Sequence, residues 1–214
     1  MDEFVFLWQV IFIHNLEKYM GTTEELTALR QTVLSYSQVS KASLEWLAQR
    51  CQVHRVAHAQ HLIHENARDR HEYFLIKGVA HRYSITESGT KVTTGFYFPH
   101  TTLTPHFART SRENSLFAVE ALSDVTVFRI SVQDMDQLRG SCDDFRHFGQ
   151  RVVEEELARV LWYEVAFRSM SAGERLDLLR KDYPGIENTV PHMVIASFLG
   201  ITPVSFSRLR AQTP

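Results

Sequence analysis

A chain of 214 residues, 44% apolar and 22% charged, can bury a sizeable core, which excludes a disordered or disulfide-stapled protein. With 23 basic against 25 acidic residues the formal net charge is −2, so any nucleic-acid-binding charge must be local rather than spread over the whole surface. The cysteines, Cys51 and Cys142, form no paired motif; this points to a reducing cytoplasm and supplies no thiolate set for zinc or an iron–sulfur cluster.

The apolar run Phe4 to Ile13, with Trp8, Ile11 and Phe12, is interrupted by Gln9 and preceded by Asp2 and Glu3. It lacks the basic flank and cleavage site of a signal peptide and is too short to span a bilayer, so a core or partner-facing segment is expected and no membrane contact. From Thr22 to Gln49 apolar residues recur at three-to-four spacing (Leu26, Leu29, Val33, then Leu44, Leu47), predicting two helices, the second started by Ser40 or Ser43.

From Cys51 the period changes to that of strands: Gln52–Val56, His61–Ile63, Tyr73–Ile76, Ala80–Ile85, Val92–Phe98, Leu116–Leu122 and Val125–Ile130. Turn residues at Lys77-Gly78 and Glu87-Ser88-Gly89-Thr90 separate them, and no helix is expected between them. That order predicts an antiparallel sandwich, roll or barrel. His54, His58, His61 and His64, beside Cys51, are the most metal-like grouping, yet a turn divides them and structural or surface histidines are expected.

Ser131 with Asp134, Ser141 with Asp144, and Ser171 with Glu174 have the spacing of helix-starting capping boxes. The second opens a long helix to about Arg168, with Phe145, Phe148, Val152, Leu157, Val160, Leu161 and Val165 as an apolar stripe. At 1.5 Å per residue such a helix outruns a small domain, and a second subunit is expected to cover the stripe. Pro191 and Gly200 bracket one short helix; Thr202 and Pro203 begin another.

This last pair has the layout of a helix-turn-helix. Its candidate outward residues are Thr202, Val204, Ser205, Ser207, Arg208 and Arg210, hydroxyls and cations suited to phosphates and base edges. No Asp or Glu follows Asn188. Enzyme motifs are missing: there is no Gly-x-Ser-x-Gly elbow, phosphate-binding Gly-rich loop or His-Glu-x-x-His. Catalysis is not expected.

The segment Val190-Pro191-His192-Met193-Val194-Ile195-Ala196-Ser197-Phe198-Leu199-Gly200-Ile201-Thr202-Pro203, continuing to Phe206-Ser207-Arg208-Leu209-Arg210, resembles the helix-turn-helix of Crp/Fnr-type transcriptional regulators. It is most similar to a Bacteroidetes branch whose recognition helix begins Ile-Thr-Pro and contains Ser-Arg. Tyr73 to Gly78 and Phe117 to Asp124 resemble two hairpin segments of that family's sensor, and the likeness runs from about Leu16 to Gln212. It implies an α+β chain. Residues 1–140 would form N-terminal helices and a double-stranded β-helix, the β-roll of cyclic-nucleotide-binding type. Residues 141–170 would be a long dimerisation helix, and 171–214 a winged-helix-like helix-turn-helix.

The implied function is a cytoplasmic, homodimeric regulator reading double-stranded DNA at a palindromic operator, with Arg208 matching the family arginine. Val204 replaces the branch's usual Glu, and no C-terminal hairpin wing is expected after the recognition helix. Family members that bind a cyclic nucleotide carry Phe-Gly-Glu and then Arg-Ser or Arg-Thr. Here the stretch is Phe98-Pro99-His100-Thr101-Thr102, then Arg112-Glu113-Asn114-Ser115-Leu116, without the Gly-Glu pair. No cofactor is expected, and a cyclic nucleotide is disfavoured, Arg109 and Arg112 being the only nearby replacements for the cassette charge. A different small-molecule effector would find a lining drawn from Tyr83, Phe96, Phe98, His100, Thr102, His106, Ser115 and Phe117.

Overall fold

The computed structural model describes residues 21–212, so the apolar segment Phe4 to Ile13 lies outside the described residues. The chain enters through helix α1 (Thr23–Tyr36), started by a reciprocal capping box between Thr22 and Glu25, and α2 (Lys41–Arg50), capped by the Ser40 hydroxyl.

Ten strands follow: β1 (Gln52–Val56), β2 (His61–Ile63), β3 (His71–Lys77), β4 (Ala80–Ile85), β5 (Lys91–Tyr97), β6 (Thr101–Thr102), β7 (Thr110–Ser111), β8 (Asn114–Ser115), β9 (Ala118–Ala121) and β10 (Val125–Ser131). One short helix, α3 (His106–Arg109), interrupts them. Two four-stranded antiparallel sheets, ordered β1-β10-β3-β6 and β2-β9-β4-β5, face each other. Ile63, Leu75, Leu103, Val119 and Val127 fill the space between them. The expected roll is therefore present. Patterning did not foresee the shortest elements, α3 and the two-residue strands β6, β7 and β8, which are too short to display a period.

Burial in β3 is nearly continuous rather than alternating, because both faces of its sheet are covered. Tyr73 and Leu75 point into the roll, while Phe74 and Ile76 point outward beneath α1 and the later helices. The chain then enters α4 (Val132–Ser141), whose start is capped by Ser131 accepting the Asp134 amide at 3.0 Å, and α5 (Asp143–Ser169), 27 residues long.

The expected cap at Ser141 is not formed. Ser141 ends α4 and donates to the Gln137 carbonyl, while Asp144 reaches across to α2, accepting from the Ser40 amide at 2.9 Å and the Ser43 hydroxyl at 3.0 Å. A tertiary contact has taken the carboxylate that local spacing assigned to a cap.

A second correction concerns the α5 stripe. Phe145, Phe148 and Val152 are buried in the same chain's core with Leu29, Phe74, Phe128 and Leu138, leaving no surface for another subunit. Leu157, Val160, Leu161 and Val165 are instead 41–55% exposed, as are Trp162 and Phe167. Beyond α5 lie α6 (Ala172–Asp182), opened by the Ser171–Glu174 capping box, α7 (Ile186–Thr189), α8 (His192–Leu199) and α9 (Pro203–Gln212). Leu176, Leu179, Ile195, Leu199 and Phe206 close a separate core among them.

Candidate nucleic-acid interface and effector cavity

Helices α8 and α9 are joined by a turn in which Gly200 takes φ +68°, a conformation that closes α8 and costs other residues a steric penalty. Ile195, Leu199 and Phe206 lock the pair together. Arg175 braces the turn from α6, donating to the carbonyls of Met170 (2.8 Å) and Leu199 (3.0 Å). The Thr202 hydroxyl accepts the Ser205 amide at 3.1 Å and so caps α9.

With α9 fixed in this way, Thr202, Val204, Ser207 and Arg208 stand exposed on its outer side. Ser205 is half-buried, its hydroxyl engaged with that of Thr202 at 2.9 Å. Arg210 is exposed but not free: its Nε forms an ion pair with the Glu187 carboxylate at 2.8 Å, and another of its guanidinium nitrogens lies 3.4 Å from His192 Nδ1. Glu187 also accepts from Arg180 at 2.8 Å, and the Arg180 hydrogen bond, followed by the nearby Arg210 charge, holds its carboxyl below the usual range. No ion pair involves Arg208 among the described residues.

The helix pair rests on the roll. Ser197 of α8 accepts the Thr93 amide at 3.0 Å and donates to the Lys91 carbonyl at 3.1 Å, both groups belonging to the edge strand β5. Phe198 packs on Phe96 and Tyr163 with ring centroids 5.0 and 5.1 Å apart. Beside this seam His81 is 3% exposed, sharing a 3.2 Å hydrogen bond with Thr93, and burial pushes its imidazole down to about 4.

A cavity of about 500 Å³ lies between the roll and α5, lined by Arg82, Ser84, Thr94, Leu116, Phe117, Val153, Leu157 and Val160 among others. Its polar floor is a network. Arg82 of β4 pairs with Glu156 of α5, and Thr104 accepts from Arg82 at 3.0 Å while donating to Glu156 at 2.9 Å. Glu156 also pairs with Arg159, whose other guanidinium nitrogen donates to the Tyr183 hydroxyl at 3.3 Å. Burial alone would raise the Glu156 carboxyl, but the guanidiniums of Arg159 and Arg82 outweigh it and hold the carboxyl at about 2. Gly95 is part of the construction: a Cβ there would sit 2.7 Å from Arg82 Nε, so any larger residue would push the guanidinium off Glu156.

The eight residues expected to line one effector pocket do not share one. Phe117 lines the roll–helix cavity. Phe96, Phe98 and Thr102 line a second cleft against α5 and the α6–α7 connection. His100 faces a third, beside α1. Tyr83 lies on the outer face of its sheet, hydrogen-bonded to His61 at 2.7 Å. Ser115 is buried and donates to the Phe117 carbonyl, and His106 Nε2 is buried without a hydrogen-bond partner. The cause is face assignment: β4 alternates, with Ala80 in the inner core and His81 and Tyr83 together on the other face (ring centroids 5.2 Å apart), while the register shift opposite Arg82 and Tyr83 leaves Thr94 as the extra residue of β5.

Arg109 is also turned away from the cavity. It is fully buried, donating to Asp69 at 2.8 Å and to the His71 carbonyl at 2.5 Å, while Arg112 sits exposed in the tight β7–β8 turn at φ +51°. The residues that sequence reasoning missed are Arg82, Thr104 and Glu156. A signal existed for one: continuing the 145–148–152 spacing of α5 leads to Glu156, Arg159 and Tyr163, a seam that faces inward despite its charges. The histidines near Cys51 form no metal-binding group among the described residues, and Cys51 is buried with its thiol pushed up by burial.

Residues 53–141 match the cyclic nucleotide-binding domain family. Comparison with curated protein sequences gives no significant match. Solved structures share the fold over most of the chain. FixK2 from Bradyrhizobium japonicum superposes with a TM-score of 0.67 at 16% identity, covering 76% of this chain and 83% of its own. CLP, the c-di-GMP-responsive global regulator of Xanthomonas campestris, gives 0.66 at 10% identity, covering 81% and 91%. A mutant of CooA from Carboxydothermus hydrogenoformans gives 0.64 at 16%, covering 84% and 81%. No helix among the described residues is long and apolar enough to cross a membrane.

Proposed function

We propose that this chain, which has the fold of Crp/Fnr-type regulators and a cyclic-nucleotide-binding-type roll, is a cytoplasmic, homodimeric, DNA-binding transcriptional regulator. The observation that carries the reading is the exposed face of α9. Thr202, Val204, Ser207 and Arg208 lie on a braced helix with no acidic residue from Asn188 to Gln212, and Arg208 has no competing carboxylate among the described residues. Such a face suits a major groove, with Arg208 forked onto guanine and Val204 against a thymine methyl. The exposed apolar residues 157, 160, 161 and 165 supply the dimer contact, and two-fold symmetry then demands a palindromic operator.

The roll–helix cavity is the proposed effector site. Its chemistry does not fit a cyclic phosphate: Glu156 contributes an ionised carboxylate, Arg82 is spent on that carboxylate, and Arg109 is committed to Asp69. A neutral or apolar effector suits it better. A ligand displacing Glu156 from Arg82 would act on Arg159 and Tyr183, and so on the α6–α7 connection to the helix pair.

Selection from a random duplex library tests the reading. Enrichment of a palindrome is expected, with affinity falling as salt rises; Arg208→Ala is expected to cost about 1–3 kcal/mol at the base it contacts. One observation favours a second reading, a ligand-binding or protein-interaction module that has kept the fold and lost DNA binding. Arg210 is paired with Glu187, which leaves the α9 face a single unpaired arginine among the described residues. Absence of any enriched site, or salt-insensitive binding, would establish that alternative.

A further inference from the structure

The contacts that seat α8 on the roll straddle the irregularity in β5. On one side of it the Ser197 hydroxyl accepts the Thr93 amide and donates to the Lys91 carbonyl; on the other, the Phe198 ring packs on Phe96. Between them stands Thr94, unmatched in the ladder because Arg82 faces Gly95 and Tyr83 faces Thr93. A bulge of this kind frees one residue from cross-strand pairing and bends the strand around it.

The freed residue is tied to Arg82 instead. Arg82 Nε donates to the Thr94 carbonyl at 3.3 Å, and the Thr94 hydroxyl donates to the Arg82 carbonyl at 3.5 Å. Through Nη1 the same guanidinium pairs with Glu156 and donates to Thr104 on the floor of the roll–helix cavity. Arg82 is buried, so a guanidinium released from Glu156 has to find another acceptor and shift to reach it. One side chain therefore spans the cavity floor and the backbone on which the helix pair sits: the carbonyl it holds and the amide that Ser197 holds belong to adjacent residues.

From this arrangement we infer that the Thr94 bulge is a joint that couples the Arg82–Glu156 pair to the seat of α8. While the pair is intact, Arg82 holds the bulge and presents Thr93 and Phe96 in place for Ser197 and Phe198. When the pair parts, the bulge is released and the seat loosens. The inference rests on the reading of the roll–helix cavity as the effector site and names what a guest parting Arg82 from Glu156 changes, the firmness with which the roll holds the helix pair. This route is separate from the one through Arg159 and Tyr183, which enters at the α6–α7 connection.

Amide hydrogen exchange of the full chain by NMR is the test, with the rate at Thr93 read relative to Leu29 and Val33 of α1, which report general loosening. It uses neither effector nor DNA, so it can fail while the effector reading stands, and failure to find an effector does not touch it. Glu156→Gln frees Arg82 from the helix side, and Gly95→Ala, whose Cβ would sit 2.7 Å from Arg82 Nε, displaces it from the strand side. Each is expected to raise the relative rate at Thr93 about tenfold. Ser197→Ala removes the acceptor itself and is expected to raise it at least as much. Combined with Ser197→Ala, neither variant has a bond left to loosen, so the double variants are expected to match Ser197→Ala alone. Tyr183→Phe, which cuts only the other route, is expected to leave the Thr93 rate unchanged. An unaltered relative rate in either folded single variant, full additivity with Ser197→Ala, or an acceleration by Tyr183→Phe as large as that by Glu156→Gln would each overturn the coupling.

Discussion

The first and second halves of α5 carry apolar side chains at the same helical spacing, yet one half is core and the other surface. Phe145, Phe148 and Val152 are closed over by α1, α4 and the outer face of the β3 sheet. Leu157, Val160, Leu161 and Val165 lie past the end of that cover and are exposed, Leu157 and Val160 at the rim of the roll–helix cavity. Between the two runs the inward seam turns polar at Glu156 and Arg159, where the roll offers Arg82 and the α6–α7 connection offers Tyr183. An amphipathic period reports that a face will be covered. It does not report by what.

The comparison is broken most strongly by truncating the buried half. Phe148→Ala is expected to cost about 3–5 kcal/mol of folding stability by opening a cavity, read as a lowered urea midpoint that does not vary with protein concentration. Removing Glu156 tests the junction: Glu156→Ala leaves Arg82 buried without its carboxylate and should cost about 3–5 kcal/mol, whereas Glu156→Gln, which keeps an acceptor for Thr104, should cost less. In the exposed half, Leu161→Glu should leave the single-chain fold intact and shift a dimer to monomer in sedimentation at micromolar concentration. If Leu161→Glu instead lowers the urea midpoint as much as Phe148→Ala, the two halves are not distinct.

A pH dependence sharpens the contrast between the roll's two faces. His81 takes up its proton near 6.5 when unfolded but only near 4 in the folded chain, where Glu120, which favours the charge, is outweighed by burial with Lys91 and His61. Stability is therefore full above 6.5 and falls as the pH drops toward 4, by about 3 kcal/mol at most. His81→Gln should flatten that slope in urea midpoints measured across the window. Glu156 adds a separate loss at lower pH, because its stabilisation is present above the unfolded carboxyl value of 4.5 and disappears as the pH falls to about 2. The smallest effect is expected at Arg210→Ala, below about 1 kcal/mol, since its own side chain is partly exposed and Arg180 still holds Glu187.

The longer strands and the helix starts at Ser131 and Ser171 were legible because their causes are local, whereas the two-residue strands β6, β7 and β8 are too short to show a period. Ala80–Ile85 begins and ends where its composition changes, and Ser131 and Ser171 cap as their spacing requires. The C-terminal pair was legible for the same reason, through Gly200 and Thr202. The effector cavity was not. Its floor joins Arg82, Thr104 and Glu156 from separate stretches of chain, which no local pattern brings together. Asp144 shows the same limit in miniature, its spacing fitting a cap while its partner lies about a hundred residues away.

The Ser197 hydroxyl has one more consequence. By bonding the Thr93 amide and the Lys91 carbonyl, it occupies part of the open edge of a four-stranded sheet. Were α8 to lift off the roll, that edge would present bare backbone donors and acceptors to any passing strand, a template for intermolecular pairing. Retention of this contact protects solubility, and so favours a helix pair that pivots about Ser197 over one that detaches.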